Sequence, residues 1–115
     1  MTTKDVLDHH LEAFMAGDVE EVLKDITDES VLLTADGPLK GRDALRPALT
    51  DFLSGLFKPG TYTLEMDRME IAGDVAYIVW RADCAAATIL LGTDTFVVRD
   101  GKIAVQTFAA KIEPK

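Results

Sequence analysis

At 115 residues the chain has room for one domain and one core, and 48% hydrophobic residues with no low-complexity segment argue against a disordered chain. Twelve basic residues against twenty acidic ones give a formal charge of −8, which counts against nucleic acid and anionic membrane as partners. No apolar run approaches the ~20 residues of a membrane span.

From the N-terminus, Val6, Leu7, His10, Leu11 and Phe14 recur at three- and four-residue spacing, predicting an amphipathic helix that Gly17 ends. His10 falls on its apolar stripe, and His9 falls with Asp5 and Glu12 on the wet side. Asp18, with Glu21 three residues later, forms a capping-box pattern for a second, shorter helix whose inner stripe is Val19, Val22, Leu23 and Ile26. Val31 to Thr34 reads as a buried strand and Asp36-Gly37-Pro38 as a turn. Gly41-Arg42-Asp43 then leads into a third helix through Ala44, Leu45, Ala48, Leu49, Phe52, Leu53 and Leu56. Pro47 stands early in it, where a missing amide hydrogen matters little.

After Gly60 the hydrophobic period changes from 3.6 to 2. Tyr62 to Ile71, Val75 to Asp83, Thr88 to Val98 and Lys102 to Lys111 predict four strands, with a register shift inside the first. Ala76, Ile78, Trp80 and Ala82 share one face of the second. Met66 and Met69 read as core filler. Helices followed by a meander predict an α+β fold over residues 1–115: three N-terminal helices packed on a curved antiparallel β-sheet, forming a cone with an apolar pocket. Cys84 is alone, so no internal disulfide forms. The N-terminus lacks the apolar stretch of a signal peptide, and the expected compartment is the reducing cytoplasm.

The most informative run is Gly92 to Ala110. Arg99-Asp100-Gly101 signals a hairpin turn, read here as a bulged three-residue loop. If Val98 pairs with Lys102, then Phe96 lies opposite Ala104 and Asp94 opposite Gln106. A carboxylate and a carboxamide would then share one face of two apolar strands, beside Phe96 and Phe108. Such a carboxylate is destabilising by several kcal/mol unless paired, solvated or protonated. The plain alternative is a solvent-facing cross-strand pair, and the two phenylalanines argue against it.

The order of elements resembles the cone-shaped fold of nuclear transport factor two, ketosteroid isomerase, limonene-epoxide hydrolase and SnoaL-like polyketide cyclases. The residues that carry the resemblance are His10-Leu-Glu-Ala-Phe-Met-Ala-Gly-Asp18, Asp28-Glu-Ser-Val31, Gly41-Arg-Asp-Ala-Leu45 and Asp100-Gly-Lys-Ile103. They span nearly the whole chain. They specify a superfamily and not a reaction, because this fold carries isomerases, hydrolases, cyclases, dehydratases and binders. In ketosteroid isomerase a tyrosine stands eight residues before the Gly-Asp junction, where this chain has His10. The isomerase base position falls by counting on Thr34, with Asp36 two residues later. Its second, protonated aspartate falls near Thr93 or Asp94. The Arg-x-Asp pattern of the epoxide hydrolase is matched by Arg81-Ala82-Asp83, yet Gln106-Thr107-Phe108 stands where its partner aspartate belongs.

These readings converge on Asp94, His10 and Asp36 as candidate catalytic groups, and on Gln106, Trp80, Phe108, Phe96 and Phe14 as candidate ligand-binding groups. A turn role is the plainer account of Asp36, and a core role that of His10. The indole N–H of Trp80 requires a partner wherever it is buried. No metal is expected, since His9 and His10 point about 100° apart on a helix and no other ligand spacing occurs. No cofactor is expected either, because the acid–base chemistry implied needs none. The partners expected are a small apolar organic molecule and a second copy of the chain. That copy would dock through the sheet, either on the face bearing Thr95, Val97, Ile103, Val105 and Thr107 or, if the helices cover that face, on the opposite one. Two functions stay open: a cofactor-independent isomerase or cyclase moving a proton alpha to a carbonyl, and a non-catalytic binding or interaction module.

Overall fold

The side chain of Thr2 accepts a hydrogen bond from the Asp5 amide, and the Asp5 carboxylate accepts one from the Thr2 amide. That reciprocal cap starts α1 (Thr3–Met15), whose apolar stripe buries Val6, Leu7, His10 and Ala13. Asp18 accepts from the Glu21 amide and opens α2 (Val19–Leu23). The computed structural model describes residues 1–115. Strand β1 (Ile26–Thr34) follows and turns back through Ala35-Asp36 into β2 (Gly37–Lys40), a short edge strand where the sequence predicts only a turn. Pro38 is tolerated there because an edge strand has one side free of ladder hydrogen bonds. Helix α3 (Gly41–Ser54) carries Pro47 within it.

The four later strands are β3 (Tyr62–Ala72), β4 (Val75–Cys84), β5 (Ala87–Arg99) and β6 (Lys102–Pro114). Together with β1 and β2 they form one open six-stranded sheet in the order β2-β1-β6-β5-β4-β3. The α+β architecture is as expected, with one addition: β1 runs parallel to β6, so the sheet is mixed. The shift inside β3 falls between Met66 and Arg68. The core lies between the helices and one sheet face, where Val6, Leu7, Leu45 and Leu53 meet Ile78, Trp80, Phe96 and Ile103. No helix is long and apolar enough to cross a membrane.

The β5–β6 register departs from the expected one. Asp100 and Gly101 both have positive φ (53° and 74°), so the turn has two central residues between paired Arg99 and Lys102. A second irregularity lies between the pairs Val98–Ile103 and Val97–Val105, which leaves Ala104 as the extra residue. Beyond it Phe96 pairs with Gln106 and Asp94 with Phe108. The displacement from the expected register totals two residues, and because side chains alternate with period two, the faces are preserved. Close to the turn the offset is one residue. Ile103 therefore turns into the core instead of joining the outer face expected for it.

Candidate functional site

Asp94 sits in the middle of β5 on the core face and is only 7% exposed. Its two oxygens are held by two neutral donors. Trp80 Nε1 on β4 donates to Oδ1 at 2.9 Å, and Gln106 Nε2 on β6 donates to Oδ2 at 2.9 Å. Gln106 reaches Asp94 diagonally, since its own cross-strand partner is Phe96. Burial pushes the Asp94 carboxyl above its usual range, and the hydrogen bonds from Trp80 and Gln106 pull the other way.

Around this group lie two adjoining hollows of about 70 and 170 Å³. Both are bounded by His10, Phe14, Phe57, Asp94 and Gln106. The smaller one extends under α3 toward Leu49, Phe52 and Phe108. The larger runs toward Met15, Leu64 and Met66 at the sheet edge, with Trp80 and Phe96 in its wall. The aromatic rings are packed on one another: Phe57 meets Phe14, Phe52, Tyr62 and Trp80 at centroid distances of 5.4, 6.0, 5.4 and 5.9 Å. Neither hollow has a lysine or arginine in its wall.

His10 is 5% exposed, lies edge-on to Phe96 at 5.1 Å, and has an Nδ1 with no hydrogen-bond partner. Burial, with a smaller contribution from neighbouring His9, lowers its pKa to about 4, so the ring is neutral near pH 7. Asp94 and His10 are the two ionisable groups common to both hollows.

Seven of the eight candidates from the sequence thus line one or both of these adjoining hollows: Asp94, His10, Gln106, Trp80, Phe108, Phe96 and Phe14. Asp36 does not. It is exposed in the β1–β2 turn and borders a separate outer depression, because the return of the chain into β2 fixes it at the sheet edge. Its neighbourhood follows the turn chemistry, with its amide donating to Thr34 Oγ1. Arg81 and Asp83 point away from the hollows. Arg81 pairs with Asp67 and Glu65 of β3, and Asp83 with Lys115. Met66 and Met69 are both more than a third exposed, and Met66 borders the larger hollow where core filler is expected. Phe57, the hub of the aromatic cluster, goes unmarked in the sequence reading. It continues the four-residue spacing of Leu49 and Leu53 past the end of the helix.

A family model for the SnoaL-like domain matches residues 7–106. The chain belongs to that family. No curated protein matches it by sequence. Among solved structures it is similar to an NTF2-like protein of unknown function from Burkholderia pseudomallei, at TM-score 0.81 and 14% identity, covering 96% of this chain and 92% of that one. It is also similar to a Kribbella flavida protein provisionally named ketosteroid isomerase (TM-score 0.77, 14% identity, 95% and 77% covered). A Sinorhizobium meliloti protein provisionally named polyketide cyclase is alike to the same degree (TM-score 0.77, 16% identity, 91% and 94% covered). At these identities the likeness establishes the SnoaL-like fold and leaves the reaction to the residues of the hollow.

Proposed function

We propose that this SnoaL-like protein binds a small, largely apolar organic molecule against Asp94 and moves a proton alpha to its carbonyl, without a cofactor. The observation that carries this is the placement of Asp94: one acid, buried among aromatic rings and held by two neutral donors. Its ionisation range is moved toward neutrality, as a general base requires. In this reading the carboxylate takes the proton, while the neutral His10 ring or the remaining Gln106 amide proton donates to the carbonyl oxygen as charge develops there. A neutral imidazole suits that role at pH 7, because it has an N–H to give without first losing a charge. The wall without lysine or arginine favours uncharged ligands over carboxylates and phosphates.

Hydrophobic cyclic ketones incubated with the protein in D2O should exchange their alpha protons, followed by NMR. The rate should rise with pH through a limb above the usual carboxylate range. Asp94→Asn should lose at least ~100-fold in exchange, as expected for removal of a general base. Trp80, the sole tryptophan, reports ligand binding by fluorescence in both proteins. Binding with no exchange from any ketone would favour the second reading, a non-catalytic binder. That reading draws on both Asp94 oxygens already being engaged by Trp80 and Gln106.

We propose also that the protein pairs with a second copy through the outer sheet face. Two uncharged rows cross four strands there: Leu33-Thr107-Thr95-Tyr77 and Val31-Val105-Val97-Val75. All three helices lie on the other side of the sheet.

A further inference from the structure

Trp80 of β4 and Gly92 of β5 are direct cross-strand partners. On a flat antiparallel sheet a side chain at position 80 stands up from its own strand and meets the side chain at position 92 beside it. Here it leans over. The indole crosses above Gly92, stacks on Phe108 of β6 with ring planes 13° apart and centroids 6.2 Å apart, and brings Nε1 to Asp94 Oδ1. A Cβ placed on Gly92 would come within 2.6 Å of the indole Cδ2 and nearer still to Cε2 and Cζ2. These atoms belong to the fused edge of a rigid ring, so no terminal torsion relieves the overlap and the whole indole must swing away. The backbone gives no reason for glycine, since Gly92 is not among the positive-φ residues. Only the ring above it does.

We infer that Gly92 is a positioning residue: its missing side chain opens a lane across β5 through which the indole of β4 reaches Asp94. Larger residues at 92 would leave the carboxyl with Gln106 alone and turn the displaced ring toward the larger hollow. This rests on the reading of Asp94 as the proton-transferring group, yet the test below needs neither substrate nor turnover. The two can therefore fail separately.

The test is the titration of Asp94 followed by carboxyl 13C NMR in the wild type, Gly92→Ala, Trp80→Phe and the double variant. Trp80→Phe removes the N–H and keeps a ring. Loss of a hydrogen bond to a charged acceptor should raise the Asp94 midpoint by about one pH unit. Gly92→Ala should produce a rise of similar size in the wild type and no further rise in the Trp80→Phe background. A residue that only fills space would not move that titration. If Gly92→Ala folds and Asp94 titrates as in the wild type, or if its effect persists undiminished without the indole N–H, the inference fails. Should Gly92→Ala not fold, Trp80→Ala in the same chain removes the obstructing ring. Recovery of the folded state in Gly92→Ala/Trp80→Ala supports the lane, and continued failure to fold overturns it.

Discussion

Folding makes the Asp94 carboxyl harder to ionise, because burial outweighs the two hydrogen bonds that favour the charged form. A group with a raised folded-state pKa holds its proton more tightly in the native protein. Its contribution to stability is fully present below the ordinary aspartate value near 3.9 and is lost as the pH climbs through the folded value. At neutral pH the native state therefore bears the work of ionising a buried acid. Asp94→Asn removes that work while keeping the shape and an oxygen for the Trp80 hydrogen bond. The variant should melt above the wild type at pH 7.5, and the gap should narrow as the pH is lowered toward 4. Each ~1 kcal/mol moves the midpoint of a domain this small by about 4 °C. Thermal scans at the two pH values check it, and a variant that melts below the wild type at pH 7.5 would mean that the ionised carboxylate is a net stabiliser. At this scale the sequence was informative about need and silent about partner. An acid on an apolar face and an indole N–H in need of an acceptor were both readable, but that one satisfies the other depends on the bare lane at Gly92. No strand periodicity encodes a side chain that leans across its neighbour.

His9 shows how elements are joined by a residue that helical periodicity assigns to solvent. Its Nδ1 lies 2.6 Å from the buried Asp25 carboxylate and its Nε2 lies 2.7 Å from Glu21, so one ring ties α1 to α2 and to the start of β1. Both contacts are donations only when the ring is doubly protonated. The hydrogen bonds to Glu21 and Asp25 accordingly raise its pKa, while burial works against them. Lys24 pairs with Glu21, and Lys102 donates to the Lys24 carbonyl, so the cluster is ringed by cations as well. With a raised folded pKa, the stabilisation is fully present below the ordinary histidine value near 6.5 and disappears as the pH rises through the folded value. His9→Gln should therefore lower the urea midpoint clearly at pH 6 and less at pH 9. Chemical unfolding of both proteins at the two pH values reads the difference directly, and a gap independent of pH would mean that His9 acts by packing alone. The β5–β6 ribbon makes the complementary point. Its faces were legible because alternation survives a two-residue displacement, which kept Asp94, Phe96, Gln106 and Phe108 together. Its register was not, because the Asp100-Gly101 turn and the bulge at Ala104 each shift the pairing by one without changing the hydrophobic pattern.

At the scale of the molecule, the parallel pairing of β1 with β6 decides which surface is left over. The hairpin of β1 and β2 joins the edge of the four-stranded meander, α3 folds back over the inner face, and the outer rows continue across β1 without interruption. That continuity was not readable from the sequence, since no local pattern says where a short N-terminal hairpin will attach. A net charge of −8 per chain makes two copies repel, so a dimer has to form where charge is sparse. The Leu33-Thr107-Thr95-Tyr77 and Val31-Val105-Val97-Val75 rows meet that condition, and the charge nearest them on β3 is Glu70, opposite Tyr77 and paired with Arg68. The wild type should sediment as a dimer at tens of micromolar, and its association should tighten as added salt screens the long-range repulsion. Val97→Glu places an unpartnered carboxylate at the centre of the face, on a side chain that the monomer leaves half-buried. Burying that charge should weaken association at least ~100-fold, which is about 2.7 kcal/mol, while a folded monomer keeps its far-UV spectrum. A wild type that sediments as a monomer, or a Val97→Glu protein that dimerises as before, would move the contact to another surface.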